Sequence, residues 1–208
     1  MVTQRSDAET THEEIMEATY RALCKHGYAD LTMQKIADEF DKSKSLIHYH
    51  YDTKQDLLVA LLDFMLDRFD EYVDIEEIES PRERLKELVK IFIMGTESEK
   101  TGSEGHWAFH TALLELRAQA PHNEAYKEQL TKNYDFMREI VVGIIEEGIE
   151  KGEFRDVDPE RTADFILGAI NGGRIHHITL EHDDLAESVH RELIGYIDTN
   201  LGTKRARE

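Results

Sequence analysis

The chain has 208 residues, of which 40% are hydrophobic, and this is enough to bury the core of one domain or of two small ones. Such a composition excludes a disordered protein. The formal charge of −19, from 44 acidic and 25 basic residues, opposes long-range attraction to nucleic acid and indicates a well-solvated surface. An acidic surface with few lysines is also typical of a salty cytoplasm, so we expect a halophilic source.

Cysteine usage and the distribution of apolar residues indicate the compartment. The single cysteine, Cys24, excludes an internal disulfide and favours a reducing interior. The first residues lack the basic start and apolar run of a signal peptide, and no uninterrupted apolar stretch approaches the length of a membrane span. We therefore expect a cytoplasmic protein that does not bind membranes.

Helix signals follow one another along the whole chain and predict an all-α fold of about nine helices. Thr10 and Glu13 form a capping box at the predicted start of the first helix, which Gly27 is expected to end. Thr32 and Ser43 are the predicted N-caps of two short helices that follow. These three helices together predict a compact N-terminal domain.

The later helices begin at equally clear signals. A capping box of Thr53 and Asp56 predicts a long fourth helix over 53–73, and Ser80 followed by Pro81 predicts the start of the fifth. The remaining predicted helices cover approximately residues 106–120, 123–152, 159–180 and 184–201.

Residues 32–51 read TMQKIADEFDKSKSLIHYHY and combine two short helices with a tight turn, which is typical of a helix-turn-helix. Ala37 allows the two helices to approach closely, and Ile36, Phe40 and Ile47 are expected to form their shared core. The second helix is then exposed and able to enter the major groove of DNA. Periodicity alone fits a plain helical hairpin equally well.

The flanking residues favour the DNA-binding interpretation, because from Ile15 to Leu58 the chain resembles the DNA-binding domain of the TetR/AcrR family. The residues on the family's pattern are Gly27-Tyr28, Thr32, Ile36-Ala37, Ser43, the run 48–51, Lys54 and Leu57-Leu58. The resemblance implies a helix-turn-helix DNA-binding domain over 9–69 and a larger helical domain for ligand binding and dimerisation over 70–202. It also implies a repressor that binds a palindromic double-stranded DNA operator as a dimer and is released by a small molecule.

The same resemblance places phosphate contacts at Thr32, Ser43, Tyr49 and Lys54. The first two are at helix N-termini, where N–H groups favour anions, and Lys54 can hold a phosphate as a point charge. The residues expected to face the groove and to contact bases or supply hydrogen bonds there are Gln34, Lys44, Ser45, His48 and His50.

Three residues depart from the family's pattern. Asp41 replaces the usual turn glycine, Lys42 replaces a turn valine, and His48 replaces a tyrosine. Residues 1–60 carry seven basic and eleven acidic side chains, so the DNA-binding end is less acidic than the rest but is not basic. We therefore expect DNA binding to depend on hydrogen bonds more than on phosphate neutralisation.

The C-terminal part resembles the choline-responsive, BetI-like branch of the family at three segments: HWAFHTALLEL, EEGIEKGEFRDVDPE and AINGG. The family pairs its last two helices across a dimer, which here implies helices over about 159–180 and 184–201, with small residues at Gly168, Ala169, Gly172 and Gly173. Candidate effector-pocket residues are Phe92, Trp107, Phe109, His110, Tyr134, Met137 and Asn171. Plain core packing is the stronger alternative for these side chains.

Eleven histidines raise the alternative of a metalloenzyme. The candidate ligands are His176, His177, His182 and Glu181, together with Glu9-x-x-His12 and Glu187-x-x-His190, whose spacing matches di-iron bundles. The inward glutamates of such a site are not evident, and neither a nucleophile–base pair nor a phosphate-binding glycine loop occurs. We therefore expect no metal, no cofactor and no enzymatic activity. A DNA-binding protein without an effector remains a further alternative.

Overall fold

The computed structural model describes residues 7–40, 44–69, 73, 75, 77–95, 102–182 and 184–203. These residues form nine α-helices, a short 3-10 helix over Ala120–His122, a π-helical segment over Ile197–Leu201 and one isolated bridge between Phe154 and Gly202. The helices are α1 Asp7–Asp30, α2 Met33–Asp38, α3 Lys44–His50, α4 Lys54–Asp67, α5 Pro81–Met94, α6 Gly102–Gln119, α7 Glu124–Glu150, α8 Pro159–Thr179 and α9 Leu185–Tyr196. The predicted all-α fold of about nine helices is confirmed. Among these helices none has the length and apolar character that a membrane crossing requires.

The helix starts that lie within the described residues are largely where the capping residues predict them. Thr32 Oγ1 accepts a hydrogen bond from the Lys35 N–H at 3.2 Å, and Thr53 forms the predicted capping box with Asp56. Ser80 and Asp158 cap α5 and α8 with Pro in the first turn of each helix. Each cap satisfies N–H groups that the helix itself leaves unpaired.

Three predicted boundaries are wrong. Helix α1 begins at Asp7 and not at Thr10, because acidic residues suit the first turn of a helix. Helix α6 begins at Gly102 and not at residue 106, since a glycine costs a helix only about 1 kcal/mol, which packing can offset. Helix α4 ends at Asp67 and not at residue 73, because Arg68 leaves the helical conformation, with φ −113° and ψ 16°.

Compact packing divides the chain into two units. The first unit contains Met1–Arg68 and Trp107–Asn133, and the second contains Phe69–His106 and Tyr134–Glu208. The N-terminal helices are thus packed together with most of α6 and the beginning of α7. The assignment of residues 70–202 to ligand binding and dimerisation stays a prediction.

The first unit is built on a core that α1, α2, α3 and α4 share. Ile15, Ile36, Ile47 and Leu57 are completely buried in it, and Tyr126 of α7 joins the same cluster. Gly27, predicted to end the first helix, lies at φ 68° and ψ 171° and breaks the helical conformation before α1 resumes to Asp30. A positive φ of this kind is the backbone conformation that glycine adopts without strain.

The second unit packs α5, α8 and α9 around a separate core. Ile166 and Ile170 of α8 are buried there with Leu193 of α9. Close packing is visible at Gly173, where an added Cβ would lie 3.1 Å from Val189 of α9. This close packing joins two helices of one chain, and the packing of small residues of α8 across a dimer stays a prediction.

Candidate nucleic-acid interface

Helices α2 and α3 form the two helical segments of the predicted helix-turn-helix. Ile36 and Ile47 are completely buried and Phe40 is almost so, which confirms the shared core expected from the sequence. Ala37 is partly buried and packs against this core. Because these four side chains anchor both helices, the opposite side of α3 is left to face solvent.

The exposed side of α3 carries the polar and aromatic residues that the sequence assigns to DNA. Ser45, His48, Tyr49 and His50 are all exposed, and the Tyr49 side chain is 82% exposed. The Tyr49 and His50 rings are 5.2 Å apart and nearly perpendicular. A ring this exposed contributes little to the core. Exposing a large aromatic side chain to water is unfavourable, which is consistent with a contact made outside the chain.

Thr32 and Gln34 lie at the start of α2 and are both exposed. Thr32 is engaged as the N-cap, so its hydroxyl already accepts one hydrogen bond. The Gln34 Nε2 donates to Asp38 Oδ1 at 2.7 Å, one helical turn later. A contact from the Gln34 amide to a base would compete with this bond.

Lys54, at the first turn of α4, has a role that sequence reasoning missed. Its Nζ donates to the Tyr28 carbonyl at 3.0 Å and lies 4.3 Å from the centre of the Tyr28 ring. Burial lowers the pKa of this ammonium from its ordinary value. An ammonium has three donors, so the bond to Tyr28 leaves capacity for a phosphate.

Two basic side chains near α2, those of Lys25 and Arg21, are engaged in contacts within the chain. Lys25 Nζ lies 2.6 Å from Glu39 Oε1, and Arg21 Nη2 donates to the Glu39 carbonyl at 2.7 Å. The hydrogen bond from Lys25 is the main reason that the pKa of Glu39 is lowered. These residues are 14 and 18 positions apart in the chain, so no local sequence signal predicts their pairing.

The turn of the motif can be compared with the predictions only in part. Ser43, with its predicted cap and phosphate contact, and the turn residues Asp41 and Lys42 lie outside the described residues. Lys44 begins α3, but its side chain also lies outside them.

The candidate effector-pocket residues are divided between the two units. Phe109 is buried in the first unit, where its ring lies 5.4 Å from Tyr20 and 5.3 Å from His110, and Trp107 is partly buried there. The remaining candidates belong to the second unit: Phe92, Tyr134, Met137 and Asn171. Their assignment to an effector stays a prediction.

Within the second unit these candidates have different surroundings. The Phe92 ring lies 6.2 Å from Phe69 and 5.9 Å from the Arg174 guanidinium carbon. Tyr134 is exposed, and its hydroxyl donates to Asp164 at 2.9 Å, so it lies in a surface network of polar side chains. Phe92 is therefore better placed than Tyr134 to contact an apolar ligand.

Among the described residues, no group of three or more histidine, cysteine, aspartate or glutamate side chains is arranged to hold a metal ion. One histidine that the sequence did not single out, His106, is partly buried, with its Nε2 3.1 Å from the Ile93 carbonyl oxygen. Burial lowers its pKa to about 4, and the positive charge of Arg174 adds to the effect.

Known protein families match most of the chain. Residues 15–61 match the family model described as bacterial regulatory proteins, tetR family, and residues 81–199 match the model described as BetI-type transcriptional repressor, C-terminal. The HTH-type transcriptional regulator YdeS of Bacillus subtilis is 26% identical over 192 residues, which are 89% of this chain and 87% of YdeS.

Solved structures agree with these matches. A TetR transcription regulator from Haloarcula marismortui is 37% identical, with a TM-score of 0.79 over 94% of this chain and 100% of that one. A regulator from Saccharomonospora viridis, solved in complex with choline, shares the fold at 24% identity, with a TM-score of 0.79 and the same coverage. The chain therefore belongs to the TetR family of transcriptional regulators, with a C-terminal part of the BetI type.

Proposed function

We propose that this protein is a ligand-responsive repressor that binds a palindromic operator as a dimer and is released by a small molecule. The observation that carries the proposal is the exposed side of α3. Its residues Ser45, His48, Tyr49 and His50 face solvent, while Ile36 and Ile47, which hold the two helices together, are completely buried. A helix held in this way can enter a major groove.

The proposed DNA contacts divide by chemistry. Thr32, Ser43, Tyr49 and Lys54 contact phosphates, and they fix the register of the protein on the duplex. Contacts to the base edges come from the groove-facing residues Gln34, Lys44, Ser45 and His48, and His50 adds a hydrogen-bonding group beside them. Few of these side chains are cationic, so hydrogen bonds supply a larger share of the affinity than usual.

The proposed dimer forms through α8 and α9 of the second unit. Phe165 is 54% exposed, and its ring lies 5.1 Å from that of Tyr196, so the two helices share an apolar patch on the surface. A Cβ added at Gly168 or Gly172 would meet no atom of the chain within 4 Å. These small residues leave room for a helix of a second copy, which would cover the patch.

The proposed effector binds in the C-terminal part of the chain. The choline complex of the Saccharomonospora viridis regulator supports a small organic ligand for this branch. Choline itself is a poor candidate here at Phe92, because the Arg174 guanidinium already lies against that ring and repels a second cation. Release then follows from a population shift toward a conformation that no longer matches the operator.

We also propose a cytoplasmic, halophilic protein without enzymatic activity. The formal charge of −19 and the 37% identity to the Haloarcula marismortui regulator support a salt-rich cytoplasm. The relatives are described as transcriptional regulators, which supports a binding function.

The test uses a duplex that the full-length protein selects from a random pool. Tyr49→Ala should weaken binding to this duplex about tenfold or more, because a phosphate-positioning contact is lost while the exposed ring contributes little to folding. Lys54→Ala should also lose binding, although this variant loses the Tyr28 contact as well. His122→Ala, which removes an exposed aromatic ring elsewhere in the first unit, is the control. Failure of the wild-type protein to enrich any duplex, or a Tyr49 variant that binds like wild type, would refute the proposal.

A further inference from the structure

Glu115 of α6 contacts the N-terminal helices, although no pattern in the sequence assigns this residue a role. Its Oε2 accepts hydrogen bonds from the backbone N–H groups of Tyr28, at 2.7 Å, and of Ala29, at 3.3 Å. All three residues belong to the first unit. A carboxylate that accepts from two backbone donors is a strong, charge-assisted partner.

The local backbone explains why these donors need such a partner. Gly27 breaks the helical conformation of α1 directly before Tyr28, so the N–H groups that follow lose the helical arrangement. Gly27 also makes room for the carboxylate, because a Cβ added there would lie 3.2 Å from Glu115 Oε2. Glycine thus supplies both the backbone conformation and the space at this position.

The segment that Glu115 holds is the connection between α1 and α2. In this segment the Tyr28 carbonyl accepts a hydrogen bond from Lys54 Nζ, and the Tyr28 ring lies 6.1 Å from the ring of Tyr126. Burial, together with a hydrogen bond to Tyr28, raises the pKa of Tyr126, so its hydroxyl stays neutral. Leu31 is buried beyond these contacts, and Thr32 then caps α2.

We infer that Glu115 is a positioning residue for DNA recognition, which fixes the segment 28–32 and through it the place where α2 begins. The inference rests on the proposed function, since its effect is read out as operator affinity. A movement of α6 at residue 115 then reaches the helix-turn-helix through these two backbone N–H groups.

The experiment compares three variants of the full-length protein on the duplex selected by the wild type. Glu115→Ala removes the acceptor, and Glu115→Gln keeps an oxygen that can accept from the same N–H groups. Glu128→Ala, an exposed glutamate of α7 in the same unit, removes one negative charge elsewhere and is the matched control. The two readouts are amide hydrogen exchange at Tyr28 and Ala29 and the Kd for the duplex.

Glu115→Ala should speed amide exchange at Tyr28 and Ala29 roughly 10- to 100-fold, as expected for the loss of hydrogen bonds to a charged group. The same variant should raise the Kd at least about fivefold, while Glu115→Gln stays within about threefold of wild type and Glu128→Ala is unchanged. If Glu115→Ala does not fold, Glu115→Asp, which withdraws the carboxylate by one methylene, takes its place.

Two results would overturn the inference while leaving the proposed function standing. One is unchanged amide exchange at Tyr28 and Ala29 in Glu115→Ala. The other is faster exchange with a Kd like that of wild type, because Glu115 would then act only on local stability. Wild-type protein that selects no duplex would instead contradict the proposed function itself.

Discussion

His106 shows how one side chain can give the protein an acid-sensitive element. Its ring is partly buried in the second unit, with Nε2 3.1 Å from the Ile93 carbonyl oxygen, and Gly95 lies so close that an added Cβ would approach the ring to 2.9 Å. Burial, then the charge of Arg174, lowers the pKa to about 4, while the hydrogen bond to Ile93 acts in the opposite direction. The electrostatic effect of His177 on the pKa of His106 acts in the same direction as that of Arg174.

A lowered histidine pKa predicts how stability depends on pH. In the unfolded chain His106 takes up a proton near its ordinary pKa of 6.5, whereas the folded state resists protonation until about pH 4. The contribution of neutral His106 to the free energy of unfolding is therefore fully present above pH 6.5. It is lost as the pH falls toward 4, by up to about 1.4 kcal/mol per pH unit.

We expect His106→Gln to reduce the fall in unfolding free energy between pH 6.5 and 4.5, as measured by urea titration at constant KCl. The glutamine amide can still donate to the Ile93 carbonyl but does not titrate in this range. His122→Gln changes an exposed histidine and should keep the wild-type pH dependence. A His106 variant whose pH dependence equals that of wild type would contradict this account.

At the scale of elements, the EEGIEKGEFRD segment that resembles the BetI-like branch proves to form the end of α7. Gly152 lies at φ 70° after the helix, a conformation that favours glycine. The N–H groups of Glu153 and Phe154 both donate to the Gly148 carbonyl, which turns the chain back on the helix. The buried Phe154 ring then packs directly over Gly148.

Two glycines of α7 form a matched pair for testing this packing. A Cβ at Gly148 would overlap the Phe154 ring, whereas a Cβ at Gly143 would meet no atom within 4 Å. We expect Gly148→Ala to lower the free energy of unfolding by about 1–3 kcal/mol, because the buried ring must move. Gly143→Ala should raise it by up to about 1 kcal/mol, as alanine favours a helix over glycine.

Urea unfolding at constant KCl measures both changes. Equal effects of the two substitutions would show that the ring of Phe154 moves aside without cost, and would remove the structural reason for glycine at this position.

Sequence reasoning predicted those elements whose signals are local. Each of four helix caps accepts from an N–H group only three residues later, so the cap and its partner are close in the sequence. These caps are Thr32, Thr53, Ser80 and Asp158. The burial of Ile36, Phe40 and Ile47 in the helix-turn-helix likewise follows from their spacing along two short helices.

The contacts that hold the candidate site in place could not be predicted in this way. Tyr28 and Glu115 are 87 positions apart, and Lys54 and Tyr28 are 26 apart, so only the folded chain brings them together. Gly27 breaks the helical conformation where the sequence predicts that the first helix ends, but the carboxylate that stabilises the backbone beyond it could not be predicted.

At the scale of the whole molecule, the charge must be reconciled with DNA binding. Two basic side chains close to α2 contact Glu39: Lys25 forms an exposed ion pair with its carboxylate, and Arg21 donates a hydrogen bond to its carbonyl. Of the proposed contacts, only Lys44 and Lys54 carry a full positive charge in each copy. A dimer would therefore bring about four lysine charges to the duplex, two at phosphates and two in the groove, fewer than a strongly basic DNA-binding protein brings.

This charge count predicts a shallow salt dependence. Four lysine charges at about 0.9 each give a slope of log Kd against log KCl below about 4, whereas proteins that neutralise 6–10 phosphates give markedly steeper slopes. The measurement is the Kd of the selected duplex over a series of KCl concentrations, with circular dichroism at each point to confirm that the protein stays folded. Ser45→Lys, which adds an exposed cation to each copy, should steepen the slope by about 2 and shows that the assay responds to charge. A wild-type slope as steep as that of a strongly basic binder would mean that phosphate neutralisation, and not the hydrogen-bonding side of α3, supplies the affinity.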